Sequence, residues 1–187
     1  MEMTNMLTAT TRSELRQWLV ENSDSEKECW VRATVKSKEE TLRYLDVVEE
    51  ALCFGWIDST KKKVEGQVFQ RLSPRGKRSL WTELNKERVR RLRKLGLMTE
   101  KGEAVLPEMS LAAFVVDPII EERLQMEGLD QLFSEFPTLY QKIRIDTIQS
   151  YKKDRLLFDK RLDKLVEQTR ANKMYGAWHD EGRLLDY

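Results

Sequence analysis

Between Cys29 and Lys36 the chain alternates without a break. Cys29, Val31, Ala33 and Val35 fall on one side, and Trp30, Arg32, Thr34 and Lys36 on the other. Successive side chains of a strand point to opposite faces, so this period of two spells a half-buried strand. Such a strand needs sheet partners, and residues 57–72 offer them as two strands around Glu65-Gly66, a two-residue turn signal. Val64 then pairs with Gln67 and Thr60 with Arg71, and cross-strand partners share a face. This register sends Ile57, Val68, Gln70 and Leu72 to the core side with Ser59. Asp58, Thr60, Lys62, Phe69, Arg71 and Ser73 share the opposite face.

Helical patterns flank these strands. Thr11-Arg12-Ser13-Glu14 fits a capping box opening a helix to Val20. Leu42 to Phe54 carries an apolar helical stripe, and Gly55 ends it as a C-cap glycine. Thr82 caps a helix over 83–95 stopped by Gly96, and Thr99 caps another running to about Met109. Helices follow over about 119–126, 129–135, 138–151 and 154–174, the last with Phe158, Leu162, Leu165, Thr169 and Asn172 along one stripe. The expected fold is therefore α+β: a small antiparallel sheet with packed helices, then a helical C-terminal half. Residues 1–110 read as the α+β domain and 111–187 as a helical region packed on it.

At 187 residues the chain can bury a core without staples. A single His and two Cys argue against a zinc site, so no metal is expected. The sequence holds no G-x-S-x-G, H-E-x-x-H, P-loop or Gly-rich dinucleotide turn, so neither a cofactor nor a catalytic residue is expected. His179 reads as a surface histidine of the tail. Adjacent Glu49 and Glu50 point about 100° apart on a helix and form no acid/base dyad. Cys29 and Cys53 sit in apolar patterns and read as buried free thiols. With no secretory signal and no apolar run long enough to span a bilayer, the chain reads as cytoplasmic.

Charge is distributed unevenly. The net charge is +1, but Thr60 to Lys101 holds 14 basic residues against four acidic, leaving −9 for the rest. The helix over 83–95 concentrates the excess in Lys86, Arg88, Arg90, Arg91, Arg93 and Lys94. Such a segment attracts anions, and Arg grips phosphate or carboxylate with two parallel bonds. Phe54, Trp56, Phe69 and Trp81 lie among these cations, as in surfaces on which single-stranded nucleic acid stacks. Three readings stay open: a face neutralised within the fold, a nucleic-acid surface, and a site for another anionic ligand or an acidic protein. Lys86, Arg90, Arg91, Arg93 and Lys94 form the candidate basic surface. Gly55, Trp56, Asp58, Lys62, Arg71, Arg75, Trp81 and Asn85 form the candidate ligand site. An enzyme of undefined class would need Asp58, Arg71 and Arg75 to converge on one pocket.

The run Glu50-Ala51-Leu52-Cys53-Phe54-Gly55-Trp56-Ile57-Asp58-Ser59 is followed by Arg71-Leu72-Ser73-Pro74-Arg75. Ser79-Leu80-Trp81-Thr82-Glu83-Leu84-Asn85 comes next, then Leu95-Gly96-Leu97-Met98-Thr99 with Gly102. Together these resemble the bacterial YdeI/OmpD-associated family, often labelled bacteriocin-protection proteins. The resemblance covers roughly residues 12–110, and 138–175 more weakly. It implies a role in tolerance of bacteriocins or cationic peptides, or in envelope stress, without a defined reaction, cofactor or catalytic residue. Lys152-Lys153 and Arg161-Leu162 match the family's C-terminal pattern loosely. Leu157-Phe158 stands where Thr-Arg would be expected, so the resemblance assigns no ligand role to the last helix.

Overall fold

The computed structural model describes residues 3–34, 41–76 and 79–187. Val35 and Lys36 of the expected strand, and Lys77 and Arg78 of the basic segment, lie outside the described residues. The fold is α+β, with two units divided by their internal contacts. One comprises Met1–Leu80 and Arg88–Pro107, the other Trp81–Glu87 and Glu108–Tyr187.

The first unit is built on a sheet. Its centre is β2 (Cys29–Thr34), paired antiparallel with β5 (Gln67–Pro74), which pairs antiparallel with β4 (Trp56–Val64). Two short strands, β1 (Met6–Leu7) and β3 (Leu42–Arg43), run parallel to β2 and make the sheet mixed. A two-residue strand has no periodicity to read, which is why the sequence suggests neither. The helix α1 (Arg12–Asn22) opens with the expected capping box, Thr11 accepting from the Glu14 amide while the Glu14 carboxylate reaches back. The helix α2 (Tyr44–Cys53) packs against the sheet. Leu15, Leu19, Trp30, Val31, Val48, Leu52, Trp56 and Leu72 are all within 2% of full burial and form this unit's core. Cys29 and Cys53 are free, buried thiols, and burial pushes both up to about 12.

The hairpin register departs from expectation at one place. Val64 faces Gln67, Lys62 faces Phe69 and Lys61 faces Gln70, as the turn dictates. A β-bulge then lets Ser59 and Thr60 oppose Arg71 alone, so Asp58 pairs with Leu72 and Ile57 with Ser73. Asp58 and Ile57 thus exchange faces relative to the sequence reading. Val68, expected in the core, is 39% exposed, and Phe69, expected outside, is only 8% exposed.

The helix α3 (Glu83–Lys94) contributes Glu83–Glu87 to the second unit and Arg88–Lys94 to the first. The helix α4 (Glu100–Ala104) stops five residues short of the expected Met109, and Thr99 caps it through the Gly102 amide. The second unit also contains α5 (Pro118–Met126), α6 (Asp130–Ser134), α7 (Thr138–Gln149) and α8 (Arg155–Arg170). Ile120, Leu124, Phe133, Tyr140, Ile143, Ile148, Phe158, Leu162 and Leu165 form its core. Thr169 of the α8 stripe is buried as expected, but Asn172 lies past the helix end at φ 51° and is exposed. His179 is not a free tail residue: half-buried, it accepts the Gly182 N–H on Nδ1 at 2.8 Å and packs edge-on against Trp178.

Candidate functional site

The junction of α2 and β4 is set by two glycines. Gly55 has φ +72°, and a Cβ there would lie 2.9 Å from the Lys101 carbonyl oxygen. A Cβ on Gly102 would lie 2.3 Å from the Cys53 oxygen, which Thr99 Oγ1 meets at 2.6 Å. Gly55 therefore lets the end of α2 lie against α4. Trp56, 1% exposed, packs edge-on against Trp18 at 5.9 Å and anchors the core.

The bulge brings Asp58 onto the same face as Lys61, and Tyr44 joins the two. The Tyr44 hydroxyl donates to Asp58 Oδ2 at 2.7 Å, and Lys61 Nζ sits 4.2 Å above the centre of the Tyr44 ring. Arg75 is buried; its N–H donates to Gly55 O at 2.9 Å and its Nη1 to Leu80 O at 3.2 Å. Burial pushes the Arg75 guanidinium down to about 10, against the opposing pull of Asp58. Arg71 points to the other face, where it grips Glu28 at 2.6 Å and reaches Ser59 Oγ at 3.4 Å. Asp58, Arg71 and Arg75 consequently do not line one pocket. Lys62, across from Phe69, is exposed on that other face as well.

Trp81, Asn85 and Lys86 belong to the second unit. Trp81 and Asn85 are half-buried, and the Asn85 amide donates to Thr82 Oγ1 at 3.2 Å, the expected cap. Lys86 pairs with Glu83 at 2.8 Å, one turn away on the same helix.

Much of the basic surface is engaged. Arg91 donates to Glu49 at 2.8 Å, and Arg93 grips both oxygens of Glu103. Arg90 is half-buried and Lys94 exposed. Glu49 and Glu50, both 1% exposed, are the centre of a network that sequence reasoning misses. Arg12 donates to Glu49 and Glu50 at 2.6 Å each and lies 3.5 Å from Asp46, while Arg16 donates to Glu50 at 2.9 Å. These partners lie at least 34 positions apart in the chain, so no local spacing announces them. Buried carboxylates survive only when paired, and here three guanidiniums supply the charge.

A cleft of about 510 Å³ opens over β2, β4 and β5, lined by Arg32, Ala33, Thr41, Tyr44, Lys61 and Gln70 among others. Its size suits a small organic ligand. Gln70 is 1% exposed. Its Nε2 donates to Thr60 O and Arg71 O at 3.3 Å each, while its buried Oε1 has no hydrogen-bond partner among the described residues. Arg32 donates to Thr41 Oγ1 at 3.0 Å, holding a second cation at the wall. Lys61 makes no ion pair among the described residues. The sequence signal for this site was the alternation of Lys61 with Lys63 on the Gln70 face, obscured by the longer lysine run. Among the described residues no group of three or more His, Cys, Asp or Glu could hold a metal ion. None of their helices is long and apolar enough to cross a membrane.

The model of the family DUF8412, a domain of unknown function, matches residues 7–105. The chain belongs to the DUF8412 family. The match spans more than half of the chain and ends two residues before the first unit does. The cleft, the Asp58–Tyr44 pair and the Glu49–Glu50 network all fall within the DUF8412 region. No curated protein and no solved structure matches this DUF8412 chain.

Proposed function

We propose that the chain is a cytoplasmic, non-catalytic binding protein that holds a small organic anion in the cleft over β2, β4 and β5. The observation that carries this reading is Lys61, a cation without a carboxylate partner among the described residues, poised over the Tyr44 ring at the cleft wall. The Tyr44 ring and the side chains of Ala33 and Val68 offer an apolar bed for the body of the ligand. Lys61 and Arg32 offer charge for its acidic group. The combination matches a ligand with an apolar body and one anionic end. The resemblance to bacteriocin-protection proteins gives this reading its physiological setting, tolerance of envelope stress. Nucleic-acid binding through α3 draws less support, because Arg91 and Arg93 are each committed to a carboxylate.

The test uses 8-anilinonaphthalene-1-sulfonate, which has an apolar body and one sulfonate. Its emission should rise saturably with the native chain, and Lys61→Glu should weaken its binding about tenfold, since a charge-assisted contact is worth about 1.5–3 kcal/mol. Equal binding by the native chain and the variant would sink the proposal.

A further inference from the structure

Three cations of the second unit differ from Arg91 and Arg93 of α3. Arg144 on α7 is 8% exposed, yet no carboxylate lies within ion-pair distance of it among the described residues. Its Nη2 donates to Ala177 O at 3.0 Å, and its buried Nε has no hydrogen-bond partner among the described residues. Gly176, at φ +74°, admits the guanidinium: a Cβ there would stand 2.6 Å from Nη1. The guanidinium carbon lies 5.2 Å from the centre of the Tyr175 ring, and Lys164 Nζ lies 5.0 Å from the same ring. Burial pushes the Tyr175 hydroxyl up, while Arg144 and then Arg161 pull the other way. Arg161 stacks on Tyr151 at 4.0 Å and donates to Thr147 O at 2.5 Å.

Neither Arg161 nor Lys164 makes an ion pair among the described residues. Two acids close to them in sequence are engaged elsewhere. Asp163 meets Arg123 at 3.1 Å, and Asp146 accepts the Glu83 N–H at 3.0 Å. Arg144 and Lys164 thus lie against one tyrosine ring, the first of them nearly sealed from water, and Arg161 stands one turn before Lys164 on α8. A buried cation without a counter-charge is costly unless something supplies one.

We propose that Arg144, Arg161 and Lys164 around Tyr175 form a binding site for a phosphoryl oxyanion, with Arg144 as its buried anchor. Two guanidiniums and an ammonium match a doubly charged phosphate better than a single carboxylate, because each planar guanidinium can meet two oxygens. Free phosphate and a phosphomonoester present the same group. This site is independent of the cleft in the first unit, and its fate does not depend on that reading.

The experiment is an amide-resolved NMR titration of the full chain with sodium phosphate, set against sodium chloride at equal ionic strength. Saturable shifts should centre on Arg144, Arg161, Lys164 and Tyr175 to Ala177. The double variant Arg161→Ala/Lys164→Ala, which leaves the core intact, should weaken phosphate at least about tenfold, because hydrogen bonds to charged groups are worth about 1.5–3 kcal/mol each. Phenyl phosphate binding more tightly than phosphate identifies a phosphomonoester as the ligand, and phosphate binding at least as tightly identifies the free ion. Shifts no larger than those from chloride, shifts confined to the first unit, or unchanged affinity in the folded double variant would overturn the site.

Discussion

Arg12, Arg16 and Arg91 meet the carboxylates of Glu49 and Glu50, whereas Arg144 and Lys164 meet the ring of Tyr175 and Arg161 that of Tyr151. The first group belongs to the unit with the densest positive charge in sequence, and its charge is used up in holding α1, α2 and α3. The second belongs to a stretch where Lys142 to Lys173 holds ten basic residues against five acidic, a milder excess. Charge density along the chain therefore does not tell which cations have a carboxylate partner among the described residues. What matters is whether the fold brings carboxylates to the cations.

The largest effect should come from breaking the paired group. Glu50 is 1% exposed and answers both Arg12 and Arg16. Glu50→Ala leaves two guanidiniums short of a partner beside the core. Removing one partner of a buried pair costs about 3–5 kcal/mol, and the part-exposed arginines place this case near the lower end, about 3 kcal/mol. Urea denaturation measures it. A loss under about 1 kcal/mol would show that solvent already screens the network.

The contrast also marks what could be read from sequence. The capping box at Thr11, the β2 alternation, the Glu65-Gly66 turn and the α3 boundaries all rest on residues within four or five positions of each other, where local geometry decides. The bulge at Ser59-Thr60 was not legible, because one extra residue in a strand leaves composition unchanged while flipping Asp58 across the sheet. The candidate site was legible only in part. Asp58 accepts from Tyr44 and Arg75 donates to Leu80 O, while Arg71, which the sequence places on the face of Asp58, is turned away toward Glu28. Gln70 and Tyr44, the polar lining of the cleft, carried no motif. The partners of Glu49 and Glu50 are far apart in the chain, so adjacent spacing says nothing of the network. Adjacent carboxylates that point apart can still be bridged by an arginine from another helix, as Arg12 does here.

A second, smaller effect probes the surroundings of the paired group. Cys53 is held high by burial and then by Glu50, with Arg16 opposing. Cys29 is raised likewise by burial, and both thiols reach about 12. A thiol whose folded pKa lies above its unfolded value near 9 gives stability that is whole below pH 9. That stability is lost as pH rises toward 12. Stability should fall across this window by up to about 1.4 kcal/mol per pH unit for each thiol, and Cys53→Ala should remove one such share, the rest coming from Cys29 and, at the alkaline end, the raised Tyr140 hydroxyl. An unaltered slope in that variant, followed by urea titrations at stepped pH, would assign the alkaline loss to other groups.

The smallest effect sharpens the comparison within a single helix. Arg91 and Arg93 are two residues apart on α3, and each grips a glutamate. The Arg91–Glu49 side chains are 17% and 1% exposed, while those of Arg93 and Glu103 are 41% and 39% exposed. If burial rather than contact decides the worth of an ion pair, the two should differ sharply in a double-mutant cycle. Arg93→Ala with Glu103→Ala should give a coupling of at most about 0.5 kcal/mol, as exposed pairs do. Arg91→Ala with Glu49→Ala should couple by more than about 1 kcal/mol, because each single variant strands a charge away from water. Equal couplings would mean that solvent reaches Glu49 as readily as Glu103. The paired cations of the first unit would then be as available to an outside anion as the cluster at Tyr175, and the distinction between the two regions would collapse.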